Sequence, residues 1–181
     1  MKAIRFFLGF SLAFLATACS TEQDFSQFDD LDVFPEIEGG LLLVEAPEPE
    51  INLVGTAIVL SQEFLFDGFQ TPFFSDRLVE GLLTYEIDNT TSKSLDVVLE
   101  IIDDSGASID VERFTISASP SQTIVRNVAY GTGAGKSLSI IKNTHSFRVT
   151  IINDGDFTSV SSSSNPAVRF KSSGKFKLQL K

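Results

Sequence analysis

The chain has 181 residues, 43% apolar and 10% aromatic, with 24 acidic against 14 basic side chains and a formal net charge of −10. No basic face is available to meet a phosphate backbone, which excludes nucleic acid as a partner class. A single cysteine, a single histidine and no tryptophan exclude an internal disulfide, a multi-histidine metal site and a tryptophan sugar platform.

The chain opens Met1-Lys2-Ala3-Ile4-Arg5, continues as an apolar run from Phe6 to Leu15, and reaches the small residues Ala16, Thr17 and Ala18 before Cys19. A charged start, a short apolar middle and a small-residue end form the layout of a secretory signal over residues 1–18. The run falls short of the roughly 20 residues that cross a bilayer as a helix, so a spanning anchor is not expected here. Leu15-Ala16-Thr17-Ala18-Cys19 resembles a bacterial lipobox, with cleavage between Ala18 and Cys19. The sulfur would receive a diacylglyceryl group, with palmitate-type acyl chains holding the N-terminus in a membrane. Once acylated, the chain retains no thiol. Ser20 follows where an aspartate would signal retention at the inner membrane, so outer-membrane delivery is expected, at the periplasmic or the cell-surface face.

Residues 19–50 hold ten acids and neither Lys nor Arg. Like charges repel and extend a chain, which suits an acidic tether. The apolar residues Phe25, Phe28, Leu31, Val33, Phe34 and Ile37 interrupt it, and Leu41 to Ala46 is expected to dock as a strand ended by Pro47 and Pro49. The tether is therefore partly docked, and residues 51–181 form one domain of about 130 residues.

Period-two alternation runs through that domain. Val79, Gly81, Leu83, Tyr85 and Ile87 would face inward, as would Leu95, Val97, Leu99 and Ile101 before the turn Asp103-Asp104-Ser105-Gly106. Phe147, Val149 and Ile151 precede Asn153-Asp154-Gly155, a hairpin signal, and Phe176, Leu178 and Leu180 alternate with lysines placed to blunt a sheet edge. Further strands are expected at residues 57–66, 109–118, 122–130 and 167–171, with a short helical turn near 136–143 and a loop at Thr158 to Ser164. The pattern predicts a mainly β protein, a single antiparallel β-sandwich of immunoglobulin or fibronectin type, with a closed barrel as the alternative.

Few constellations promise chemistry. Gly131-Thr132-Gly133-Ala134-Gly135-Lys136-Ser137 ends like a phosphate-binding loop, but the glycine required six positions before the lysine is Tyr130, so no nucleotide is expected. His145 has no acid nearby in sequence to make it a base. The pairs Asp103-Asp104 and Asp154 with Asp156 fall on turns, where aspartate bonds its own backbone. Phe64, Phe66, Phe69, Phe73 and Phe74 crowd eleven residues and form the candidate ligand or partner patch. No catalytic residue, metal site or cofactor is expected.

The lipobox, the acidic stretch Asp24 to Asp30, Arg77-Leu78-Val79-Glu80 leading to Glu86 to Thr91, Leu138 to Thr144, and Phe170-Lys171-Ser172-Ser173 together resemble small surface or outer-membrane lipoproteins of Bacteroidetes-type bacteria. That group has no assigned activity. The resemblance implies an envelope location and one β domain, acting as a non-enzymatic interaction or accessory module with an envelope protein partner. The alternative is a module binding a glycan or another extracellular ligand.

Overall fold

Four pairings, nested one inside another, organise the chain. The computed structural model describes residues 31–54, 58–120 and 122–180. In it β1 (Glu36–Pro47) pairs with β8 (Ala167–Leu178), and β2 (Ile58–Leu65) with β7 (Ser146–Asn153). Likewise β3 (Leu78–Asn89) pairs with β6 (Gln122–Tyr130), and β4 (Leu95–Ile102) with β5 (Ser108–Ile116). The first half of the chain thus lies antiparallel along the second, and this long ribbon is wrapped into two four-stranded sheets, ordered β1-β8-β3-β6 and β2-β7-β4-β5.

The sandwich expected from the alternation is therefore present, and two separate sheets replace the barrel alternative. The strand order is that of a jelly roll. The immunoglobulin-type order is corrected, because only β4 and β5 are neighbours both in sequence and in a sheet. Alternation determines which face of a strand is buried; it carries no information about which strand lies beside it.

The inner faces follow the pattern except at the start of β3, where Leu78 rather than Val79 is buried beside a register shift between Leu78 and Glu80. Leu83, Tyr85 and Ile87 of β3 and Phe170 of β8 meet Val97, Leu99 and Ile101 of β4 and Val149 and Ile151 of β7, all at most 1% exposed. Fully burying a side chain of this size stabilises by about 1.5–3 kcal/mol, so this double layer dominates the core. Leu180 departs from the pattern and lies exposed beyond the end of β8.

Three local expectations change. The segments at 167–171 and 175–180 are one twelve-residue strand, β8, in which Ser172 is buried and Gly174 passes beneath the ring of Phe176. Because β8 lies between β1 and β3, its bases do not guard an edge. Arg169, Lys171 and Lys175 reach across to Glu45, Glu86 and Glu36 on the outer face, with N to O distances of 3.0, 2.9 and 2.6 Å. Asn153-Asp154-Gly155 makes no hairpin. Asn153 Oδ1 accepts from the Gly155 N–H and its Nδ2 donates to Asp156 O, a local turn after which the chain crosses to the other sheet.

Docking of the acidic segment begins earlier than Leu41. β1 is in register with β8 from Glu36, and the carbonyls of Val33 and Pro35 accept from the N–H groups of Leu180 and Leu178. β1 then runs the length of the sandwich, about 40 Å for twelve residues at a strand's rise, and leads into α1 (Glu48–Val54) at the opposite end. Val33–Leu180 is one compact body.

Candidate functional site

At the end where β1 begins, the link from β2 to β3 folds as a 3-10 turn, Asp67–Gln70, and the short helix α2 (Pro72–Ser75). Pro72 opens that helix, where its missing N–H costs nothing. The turn lays Phe69 against Phe66, Phe74 and Phe176, with ring centroids 4.5, 5.1 and 5.0 Å apart. Each such pair contributes about 0.5–1.5 kcal/mol beyond its area. Phe66, Phe69, Phe74 and Phe176 form one wall of a groove of about 300 Å³, and Ile37, Gly39, Gly40 and Leu41 of β1 form the other.

Three of the five expected phenylalanines therefore come together. Phe64 packs partly against the core, and Phe73 turns to solvent under the guanidinium of Arg77, 5.0 Å from its ring centre. The β1 wall and Phe176 lie beyond what the clustered phenylalanines indicate, although the adjacent Gly39 and Gly40 inside an otherwise strand-like run signal a gap in a side-chain layer. Among the described residues Glu38 is the one titratable residue lining the groove. Its chemistry is that of a receptor for an apolar side chain or small molecule.

The opposite end holds a polar network that the sequence did not reveal. Lys93 is fully buried, and its Nζ donates to Asp156 Oδ1 (2.9 Å), Ser159 O (2.8 Å) and Ser159 Oγ (2.7 Å). Ser159 Oγ lies 2.9 Å from Ser92 Oγ, which donates to Oε1 of the buried Glu48. Burial pushes the Glu48 carboxyl up, but hydrogen bonds from the Ser92 hydroxyl and the Ser161 and Ser92 N–H groups outweigh it and hold it below the usual range. Asp156 Oδ1 also accepts from the backbone N–H groups of Thr158 (2.8 Å) and Ser159 (2.6 Å). The Asp156 carboxyl is held well down, first by the Ser159 N–H and then by Lys93. Lys93 Nζ thus has one acceptor for each of its three N–H donors. The network ties α1, the turn at 90–93 and the loop at 154–166 together.

The remaining motifs are structural. Lys136 Nζ lies 2.7 Å from both Asp110 and Glu112, and these bonds, working against burial, raise its pKa. Gly131 sits at a φ of +81°, and an added Cβ there would meet the Val79 carbonyl at 2.7 Å. That loop leads through the cap Ser137 into α3 (Leu138–Lys142), the expected helical turn. His145 Nδ1 lies 3.6 Å from Asp67 at the surface. Asp103 accepts from the Ser105 hydroxyl and the Ala107 N–H, which hold its carboxyl low and close the β4–β5 hairpin. Asp154 faces Asp96, and sharing a proton with it raises the Asp154 pKa. Ala18 and Cys19 lie outside the described residues. Among the described residues no helix is long and apolar enough to cross a membrane, and no cluster of three metal-ligating side chains occurs.

No protein-family model matches the chain, and no curated protein matches it. Solved structures resemble it weakly. The infectious bursal disease virus VP2 subviral particle aligns with a TM-score of 0.40 at 10% identity, over 83% of this chain and 33% of that one. This chain thus spans about a third of that capsid protein. A Bacillus endospore appendage pilus protein aligns with a TM-score of 0.38 at 8% identity, over 89% of this chain and 96% of that one. The nodavirus particle of the prawn Macrobrachium rosenbergii aligns with a TM-score of 0.33 at 9% identity, over 83% and 96%. The jelly-roll assignment rests on the chain's own strand order.

Proposed function

We propose that this is a lipid-anchored outer-membrane protein of the envelope, related to the small lipoproteins it resembles, whose jelly roll acts as a non-enzymatic interaction or accessory module. The observation that carries the reading is Cys19, the sole cysteine, placed directly after an apolar signal and small residues. An acidic run then separates it in sequence from a domain whose first backbone bond among the described residues is made by Val33. The groove favours a second, narrower reading, a module that takes an apolar group of an envelope partner or extracellular ligand between Phe69 and Gly39.

Cell fractionation tests the reading. The wild-type chain sediments with outer membranes and leaves them only with detergent. Cys19→Ala is released as soluble protein or held as uncleaved precursor. Equal membrane recovery of both forms in mature length would count against the anchor.

A further inference from the structure

Among the described residues β1 and β6 are the edge strands of one sheet, and β2 and β5 those of the other. Three of these edges are blunted. β1, β2 and β5 each carry one extra residue that breaks the pairing register, at Leu41, Val59 and Ile109. Each also carries acids: Glu36, Glu38 and Glu45 on β1, Glu63 on β2, Asp110 and Glu112 on β5. Bulges and edge charges of this kind turn further strands away. β6 has neither an extra residue nor an acid. It pairs with β3 from Gln122 to Tyr130 without a register shift, and Arg126 is its one charged residue. The Arg126 side chain turns to the opposite sheet, where its guanidinium lies 4.1 Å from the Phe114 ring centre and 2.9 Å from Glu112.

The free backbone groups of this edge can be named. Lys136 bridges to Tyr130 on the side away from β3, with its N–H donating to Ala129 O and its carbonyl accepting from the Gly131 N–H. In an antiparallel pair both backbone groups of a residue point to one side, and the side alternates along the strand. Thr123, Val125 and Asn127, in step with Ala129, therefore direct their N–H and C=O groups outward, and these have no backbone partner among the described residues. All three residues are exposed, Val125 to 60%. We propose that β6 pairs antiparallel with β6 of a second copy, about a two-fold axis through Val125, so that two four-stranded sheets join into one.

The choice of a second copy follows from register and charge. Centred on Val125, the pairing sets Val125 against Val125 and Thr123 against Asn127, so every outward donor meets an acceptor and a β-branched pair and a polar pair form across the strands. Arg126 stands opposite Ile124 of the other copy and not opposite itself. The flank that comes together carries Asp110, Glu112, Arg113, Arg126 and Lys136, three bases against two acids, with both acids held in ion pairs. The acidic excess of the chain thus lies elsewhere. Glu86 and Asp88, the acids of β3 beside Val125 and Thr123, stand at least three strand spacings, about 14 Å, from their equivalents, beyond a screening length of about 8 Å. β6 is already held by β3, so no segment has to be ordered on association. β1 and the groove lie at the opposite edge of the same sheet and stay open. The pairing gives the interaction module proposed above a partner but needs neither the anchor nor the groove.

Sedimentation of the chain from residue 19 onward, with Cys19→Ser to remove the acylation site, tests the pairing apart from the anchor. Mass is expected to rise from monomer to dimer with concentration, up to about 1 mM. Val125→Pro removes an outward N–H that the monomer does not use, so it keeps the wild-type circular dichroism and weakens the dimer at least tenfold. Val125→Lys and Val125→Glu each weaken it at least tenfold by setting like charges face to face, and an equimolar mixture of the two recovers the wild-type strength. Leu43→Lys, the same added charge on the outer face of β1, leaves the dimer within twofold. A monomer at every concentration overturns the proposal, as does a dimer that survives Val125→Pro, equal weakening by Leu43→Lys, or a mixture no stronger than its components. None of these outcomes bears on acylation, which fractionation reads separately.

Discussion

Gly39 of β1 and Gly174 of β8 stand directly opposite one another in register, yet an added methyl would meet nothing within 4 Å at the first and the Phe176 ring at 2.5 Å at the second. The same residue type thus serves two ends. At Gly174 it admits a ring that walls the groove, and at Gly39 it leaves the groove open.

Substitution should separate them. Gly174→Ala forces the Phe176 ring aside and destabilises by about 1–3 kcal/mol, as overpacking does. Gly39→Ala is neutral or stabilising by up to about 1 kcal/mol, since it only restricts the unfolded chain. Gly39→Leu keeps the melting temperature and abolishes the fluorescence of an apolar dye bound in the groove. Unchanged dye binding in Gly39→Leu would place the dye elsewhere.

Lys93→Met removes a buried cation that three acceptors surround. Breaking one side of such a cluster costs about 3 kcal/mol, a fall in Tm of roughly 6–12 °C for a chain of this size. Asp156→Asn, altered at an exposed carboxylate, should cost clearly less. Thermal melts of the two variants check the order, and a larger loss at Asp156 would show that the loop rather than the lysine holds this end.

Acid should loosen the far end. Glu48 and Asp156 are held below their ordinary values in the fold, so the unfolded chain binds more protons than the folded one as pH drops through about 4. Their stabilisation is complete at neutral pH and is lost progressively below that point. Asp154 has the opposite sign, because its pKa is raised by Asp96. Asp154→Asn therefore raises the melting temperature at pH 7 and has no effect near pH 3, where the wild-type group is already protonated.

Lys136→Ala tests the phosphate-loop likeness. Losing the ammonium between Asp110 and Glu112 destabilises by about 1–3 kcal/mol. Magnesium-ATP shifts the melting temperature of neither the wild type nor the variant. A shift in the wild type that vanishes in Lys136→Ala would restore the nucleotide reading.

Much of the fold was legible because burial leaves a period of two. Leu95 to Ile101 and Phe147 to Ile151 alternate as written, and Asp103 with Gly106 marks a true hairpin. Ser172-Ser173-Gly174 reads as a break, yet a central strand accepts it because Phe176 fills the space above Gly174. Asn153-Asp154-Gly155 reads as a hairpin, yet the Asn153 side chain spends its bonds on a turn between sheets. Half of the groove was visible as clustered phenylalanines. Its other wall, and the burial of Lys93, depend on which strands become neighbours, and local pattern does not encode that.

Mass spectrometry of the N-terminal peptide of protein purified from native envelopes tests the central claim most directly. The expected peptide begins at Cys19 and carries a diacylglyceryl group on the sulfur. A peptide that begins at Met1, or one that contains Cys19 as a free thiol, would contradict it.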